Sequence, residues 1–405
     1  MDTFIVSLIN NWPIKEDSFI VICNQSHPGV PYMAAQLPDG IRFVTHKMPL
    51  NWSLGSKIIM KLPMFIQRIF RQLFRVLLSP IQYFLIKNLL KNNNGDYLFS
   101  INGGYPGGET CRLANIVWKR LYNRQSTHNI HNFAVNYRKI FSIYETFIDK
   151  QLESSCKHII TVSKACSQSL AIRPIFLKSK KISHIYNGLD NKSKISIKEE
   201  IRDIINIKQD DKLLVMVGTF EERKGHEFLF KAMSNVYQKH PNVHLAIVGT
   251  GSELEASRIN KYVEKYTPGK NVHFTGFINN AYHVIAKADI LLIPSQDFES
   301  FGLTALEAML QAIPVVSTDH GGLPETIGEN GVTGLYSASD NHELFSKNIS
   351  YLLNNYHIRK QIGLSGKNRA EKIFSSTILL FLLGMHAGLM SRLLLLISSC
   401  AVLKN

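Results

Sequence analysis

Short apolar runs, each followed by a longer amphipathic or mixed stretch, recur along this chain, and that alternation restricts its fold more than any other feature. In the first half the runs are 18–24, 41–46 (IRFVTH), 96–101 (DYLFSI), 126–131, 158–163 (HIITVS) and 183–187. In the second half they are 213–219 (LLVMVGT), 243–250 (VHLAIVGT), 272–277 (VHFTGF), 288–295 (ADILLIPS) and 313–318 (IPVVST). Such alternation predicts βαβ units and parallel sheets, an α/β fold. At 405 residues the chain is too long for one core and fits two domains. Polar residues collect at NGLDNKSKISIKEE, 187–200, and mark a boundary. The expected organisation is a Rossmann-like domain over 1–190, a linker over 191–210, a second α/β domain over 211–372 and an apolar tail over 373–405. Two such halves leave a cleft between them, and ligands of open α/β sheets sit outside the carboxyl ends of the strands.

Both ends depart from this pattern. From Thr377 the chain reads TILLFLLGMHAGLMSRLLLLISSCAV, interrupted only by His386 and Arg392. By length and polarity it suits a membrane span, although an arginine at mid-bilayer costs about 2.5–3.5 kcal/mol. Three readings stand side by side: a membrane anchor, a buried C-terminal helix, or a tail read in a shifted frame. At the other end FIVSLINNW has helical periodicity and precedes the first clear strand, SFIVICN. A parallel domain normally opens with a strand, so a strand and its glycine-rich loop are expected to be missing before Met1. No secretory signal is expected, because Met1 is followed by Asp2 and a mixed segment.

A net charge of +15 points to an anionic partner: nucleic acid, an anionic membrane surface or a phosphorylated substrate. Zinc-finger spacing and RNA-binding strings are absent from the sequence, which puts nucleic acid last. The five cysteines are odd in number, far apart and without a CxxC, as suits a reducing cytosol. Between Lys47 and Lys91 stand eight Lys or Arg and no acid. Phe65, Ile69, Phe70, Leu73 and Phe74 fall there at helical spacing, so 47–91 fits the interface of an anionic membrane. A surface helix turning its apolar face to the core is the competing reading.

The chemistry collects just after strands of the second half. After ILLIPS the turn QDFES leads into the helical FGLTALEAML, with Ser300 as the expected N-cap. Free N–H groups of Gly302, Leu303 and Thr304 at that helix start make an anion site, and Gly302 admits a ligand close to the backbone. Glu307, about two turns on, suits the vicinal diol of a ribose, and Glu299 the hydroxyls of a group beyond the phosphates. In VMVGTFEERKGHEFL, Arg223 and Lys224 sit in the corresponding turn, where two cations neutralise a diphosphate. Taken singly, each of these acids and cations is more often structural. In VGTGSELEASRI, Gly249 and Gly251 are followed by Leu254 where a dinucleotide fingerprint has glycine, and no acid ends the next strand. That reads as a tight turn near the ligand and disfavours a nicotinamide enzyme. In the first half His131, with His128 as the alternate, closes a strand-like run. INGGYPGGETCRLA (101–114) follows a strand and opens a helix, either admitting a ligand to its glycines or simply turning.

These residues resemble the GT4 family of retaining glycosyltransferases, of GT-B fold. The family's E-x7-E motif stands here as Glu299-Ser-Phe-Gly-Leu-Thr-Ala-Leu-Glu307, and the likeness runs from about 211 to 370. The first half is similar more loosely, through IITVSKA, IYNGLD and the His-Asn pair at 131–132. The resemblance implies two Rossmann-like domains facing a cleft and sugar transfer, with retention, from a UDP- or GDP-linked donor to a glycan or lipid-linked acceptor. It implies bacterial surface-polysaccharide assembly at the cytoplasmic face of the membrane, with no cofactor and no metal. It implies donor contacts from Gly218, Arg223, Lys224, Gly249, Glu299, Phe301, Gly302, Leu303 and Glu307, and catalytic roles for His131, Glu299, Arg223 and Lys224. The family often has an arginine shortly after the first strand glycine; here Thr219 follows Gly218, so Arg223 must substitute. With both ends altered, a catalytically inactive remnant that still binds nucleotide-sugar is the alternative.

Overall fold

The computed structural model describes residues 2–14, 16–49, 64–189, 201–208, 210–278, 281–375 and 394–399. They form two compact units, Met1–Tyr186 with Ser376–Asn405, and Asn187–Ser375. Every apolar run named from the sequence becomes or overlaps a strand.

Unit 1 holds strands β1 (Phe19–Asn24), β2 (Arg42–His46), β3 (Tyr97–Asn102), β4 (Ser126–Ile130), β5 (Cys156–Thr161) and β6 (Ile182–His184). Its helices are α1 (Asp2–Asn10), α2 (Val30–Gln36), α3 (Met64–Asn92), α4 (Glu109–Tyr122), α5 (Ser142–Ser155), α6 (Lys164–Ser169) and α7 (Pro174–Leu177). Side chains alternate between the two faces of the sheet. Val21, Cys23, Phe99 and Ile101 pack with Phe4, Ile5 and Leu8 of α1, while Ile20, Ile22 and Leu98 pack with Trp118 of α4 and Ile86 and Leu90 of α3. Burial on both faces is why these strands read as continuous apolar runs.

The tail provides a correction. The sheet order is β2-β1-β13-β3-β4-β5-β6, where β13 is Leu394–Ser399. These residues are neither membrane span nor helix; they form a parallel strand between β1 and β3. The place between β1 and β3 is thus filled by a segment far along the sequence. An unbroken apolar run suits a strand covered on both faces. The rest of the tail, 376–393 and 400–405, lies outside the described residues, as do 50–63 of the basic segment and 190–200 of the expected linker.

Six buried charges tie the helices of unit 1 together. Arg75 of α3 and Arg112 of α4 both donate to Glu109, which also accepts from Tyr144 at 2.9 Å. Arg75 reaches Glu145 at 3.2 Å, and Arg173 donates to Glu145 at 2.6 Å and Asp149 at 2.8 Å. Tyr105 and Tyr137 add hydrogen bonds to Asp149. Burial by itself would raise the pKa of Glu109, but Arg112 and Arg75 outweigh it and hold the carboxyl below its ordinary range.

Unit 2 follows the helical turn α8 (Ile201–Ile204). It holds β7 (Leu213–Val217), α9 (His226–Lys239), β8 (His244–Val248), α10 (Glu253–Tyr266), β9 (Val272–Gly276), α11 (Tyr282–Ala286) and β10 (Ile290–Ile293). Then come α12 (Leu303–Leu310), β11 (Val315–Thr318), α13 (Leu323–Ile327), β12 (Leu335–Ser337), α14 (His342–Asn354) and α15 (Tyr356–Ile373). All strands are parallel, in the order β12-β11-β10-β7-β8-β9. The chain starts at β7, proceeds outward to β9, then crosses back to β10. The turns that leave β7 and β10 therefore diverge at a topological switch point, where open α/β sheets bind ligands.

Replacing Arg173 with Met leaves Glu145 and Asp149 buried without their fork of donors. Urea unfolding is expected to show a loss of about 3–5 kcal/mol, only partly recovered by Lys, which lacks the planar fork. A loss below about 1 kcal/mol would show that the network carries no such weight.

Candidate functional site

Two turns meet at the switch point of unit 2. The first, Gly218–Gly225, leaves β7 and tightens into a helical turn at Glu222–Lys224. Gly225 has φ +76°, and a Cβ there would lie 1.8 Å from the carbonyl oxygen of Pro294, so only glycine lets the turns approach. The Gln296 N–H donates to the Arg223 carbonyl at 2.7 Å and closes the contact. Gly249, at the end of β8, is required in the same way: a Cβ would lie 1.9 Å from the Gly218 carbonyl oxygen.

This approach brings Lys224 and Glu299 together. The ammonium donates to Glu299 Oε2 at 2.7 Å, and Ser295 Oγ donates to the same oxygen at 3.2 Å. Burial would raise the pKa of Glu299, but Lys224 first, then Arg223 and the Ser295 hydrogen bond, hold it below the ordinary value. Arg223 is held separately. Its Nε donates to Glu221, whose other carboxylate oxygen accepts from Thr219 at 3.0 Å. The two cations thus stand beside one another, each matched by an acid.

The helix start differs from expectation. Gly302, not Ser300, is the N-cap of α12, at φ +90°, a left-handed conformation that L side chains rarely adopt. Gly302 has no side chain of its own to cap the turn, and the first N–H groups of a helix start suit an anion. Leu303, Thr304 and Glu307 are half-buried on one face of α12, while Ala305, Leu306 and Ala308 are buried on the other. Phe301 is buried and packs edge-on against Phe374 at 5.5 Å.

His131 follows β4 directly in unit 1. Its N–H donates to the Asn102 carbonyl at 2.8 Å, and its ring stands edge-on to Phe4 at 4.6 Å. Burial holds its pKa well below the ordinary value, so the ring is neutral. His128, the alternate, is a core residue. It lies wholly inside, bonded to Ser100 at 2.7 Å, and burial together with Arg112 lowers its pKa to about 3. The strand alternation decides between them: His128 points into the layer beneath the sheet, whereas His131 lies past its edge.

Sequence reasoning missed Glu221 and Ser295. The alternation Thr219-x-Glu221-x-Arg223 was the available signal for the first. A cavity of 490 Å³ flanks the same turn, lined in part by Phe220, His226, Arg258, Tyr262, Gln296 and His342. Lys224 and Glu299 do not line it. Its His226 is neutral, with a pKa lowered to about 4 by burial, then by Arg258 and Lys224.

Residues 197–369 match the model of the family described as glycosyl transferases group 1. That stretch, most of unit 2, belongs to the family. The chain is 31% identical over 233 residues, 55% of its length, to an uncharacterized glycosyltransferase of Methanocaldococcus jannaschii. The match covers 57% of that relative, so the chain spans little more than half the relative's length. It is 28% identical over 251 residues to the O-antigen biosynthesis glycosyltransferase WbnH of Escherichia coli, covering 62% of this chain and 66% of the relative. Among solved structures, Anabaena HepE in complex with UDP and glucose superposes with a TM-score of 0.71 at 15% identity, over 96% of each chain. That likeness places both parallel sheets of this chain in the GT-B fold.

The Lys224–Glu299 pair can be tested by itself. Lys224→Met and Glu299→Gln are each expected to lower the unfolding midpoint of unit 2. The double variant should lose less than their sum, with a coupling of about 0.5–3 kcal/mol. Because the folded pKa of Glu299 is depressed, the pair's contribution is present above the ordinary value of 4.5 and lost as pH falls through the lower folded value. Strict additivity in the double variant would show that the two side chains do not interact.

Proposed function

We propose that this protein transfers a sugar, with retention of anomeric configuration, from a UDP- or GDP-linked donor to a glycan or lipid-linked acceptor in bacterial surface-polysaccharide assembly. The observation that carries the reading is the switch-point arrangement: Arg223, Lys224 and the glycine-started turn of α12 lie at one end of the sheet of unit 2. Fixed cations and aligned N–H groups stabilise the charge that develops on a departing diphosphate. Glu307, on the half-open face of α12, accepts the ribose hydroxyls. Glu299 holds Lys224 in place and reads the donor sugar. Gly218, Gly249, Phe301, Gly302 and Leu303 complete the donor site by close backbone approach and by packing. Neutral His131 acts on the acceptor side as a hydrogen-bonding imidazole rather than as a cation. The names of two relatives support the substrate class, one from O-antigen biosynthesis and one bound to UDP and glucose.

Calorimetry with a panel of UDP- and GDP-sugars tests this. Arg223→Ala and Glu307→Ala are each expected to weaken binding at least tenfold, the loss of about 1.4 kcal/mol or more. Unchanged affinity in both would remove the donor assignment. NMR of the product's anomeric proton reads retention directly. Binding without transfer or hydrolysis would favour the inactive remnant.

The same reading places the enzyme on the cytoplasmic face of an anionic membrane, lying on it through α3. The segment Leu73–Asn92 is long and apolar enough to cross a bilayer, but Leu78, Ile86 and Leu90 are buried in unit 1, which favours lying on the surface. The opposite side of the helix exposes Ile69, Phe70, Leu73, Leu77, Ile81 and Phe84, with Leu77 67% and Phe84 62% exposed. An apolar stripe in an acid-free basic segment matches an anionic interface. Flotation with phosphatidylglycerol vesicles should carry the protein, with Leu77→Glu and Phe84→Glu each reducing the bound fraction several-fold. Equal binding to neutral phosphatidylcholine vesicles, or no effect of either variant, would overturn it.

A further inference from the structure

The strand pairing of unit 1 contains a dependence that the donor site does not share. Among the described residues, β1 pairs only with β2 and β13, and β3 only with β4 and β13. Leu394–Ser398 runs alongside Phe19–Cys23, and Leu394–Ser399 alongside Tyr97–Asn102. Without β13 the sheet is two pieces, β2-β1 and β3-β4-β5-β6, with facing edges about two interstrand spacings, or roughly 9.5 Å, apart. Both cores of the unit draw residues from β1 and from β3, so those cores close only when the gap is bridged. Chain order also reverses here: β1 leads outward to β2, and β3 leads outward on the other side to β6. Consequently β13 occupies the switch point of this unit, the place where a doubly wound sheet meets its ligand.

The register fixes what lies beside its end. Ser399 is the partner of Asn102. The Asn102 carbonyl accepts the His131 N–H at 2.8 Å, and its side-chain amide donates to the Gly107 carbonyl at 3.0 Å. Asn102 therefore holds both the glycine-rich turn 103–108 and His131, and it is itself held on one side by β13.

We propose that the carboxy-terminal strand is a positioning element for the substrate edge of unit 1: by pairing with β3 it fixes Asn102, and through Asn102 it sets His131 and the turn 103–108. Its bearing on catalysis rests on the reading that this edge faces the acceptor; its bearing on the sheet does not. The full-length chain with Leu396→Pro tests it. Proline in the interior of a central strand removes a ladder N–H and clashes with the neighbouring backbone, whereas Leu396→Val keeps the strand and serves as the control.

Hydrogen exchange read by mass spectrometry should find peptides over 394–399 of the unaltered protein as protected as those over 19–24 and 97–102. In Leu396→Pro the peptides covering 97–108 and 131 should lose at least tenfold in protection, while those over 213–217 in unit 2 stay unchanged. Sugar transfer should fall at least a hundredfold in Leu396→Pro and survive in Leu396→Val, with nucleotide-sugar affinity by calorimetry equal in all three. Rapid exchange over 394–399 beside protected β1 and β3, or undiminished protection around His131 in Leu396→Pro, would overturn the proposal. Should the unaltered protein transfer nothing, the glycosyltransfer reading fails, and the exchange measurements still decide the role of the strand.

Discussion

The candidate site of unit 2 depends on the absence of one side chain. At Gly225 a Cβ would stand 1.8 Å from the Pro294 carbonyl oxygen, far inside contact distance. Because the position is glycine, the turn after β7 lies against the turn after β10, and the Gln296 amide closes on the Arg223 carbonyl. The Lys224–Glu299 pair follows from that approach. Gly249 does the same against Gly218 one strand over. Parallel strands bring such turns to one end of a sheet, and the switch in strand order keeps helices from covering them.

The two units treat charge differently, and the difference follows burial. In unit 1 three arginines and three acids are enclosed together, and their charges balance within the cluster. Such a network fixes the mutual positions of α3, α4 and α5 and has little to offer a ligand. At the site of unit 2 the Arg223–Glu221 pair is half-open, each side chain about one-third exposed, while Lys224 and Glu299 are more enclosed, at 19% and 14%. Exchanging a partner of the half-open pair near water costs far less than opening the enclosed network of unit 1. The same contrast separates His128, locked beneath the sheet, from His131, held past its edge by Asn102.

Much of this was readable from residue order. The strand runs, the helix over 64–92, the turn-to-helix transition at 299–307 and the cations at 223 and 224 are local patterns, set by periodicity and turn chemistry. The errors fall where a distant segment intervenes. Ser300 has the chemistry of an N-cap, but Gly302 starts the helix because it alone adopts φ +90° beneath Leu323. Glu221 was signalled only weakly, by its alternation with Thr219 and Arg223, since a carboxylate in a polar turn looks solvated until its partners are known. The tail misled most strongly. Its leucine run suits a membrane, a buried helix or a doubly covered strand equally well, and only the open edges of β1 and β3 choose among them.

Sequence by itself thus determined the α/β class and the positions of the strands, because spacing and polarity act within a few residues along the chain. Tertiary structure alone decided that Lys224 meets Glu299, that His128 is fully buried while His131 is half-buried at the end of its strand, and that Leu394–Ser399 stands between β1 and β3. Each of these depends on which backbone groups remain unpaired after the local elements have formed, and that is a property of how distant segments come together.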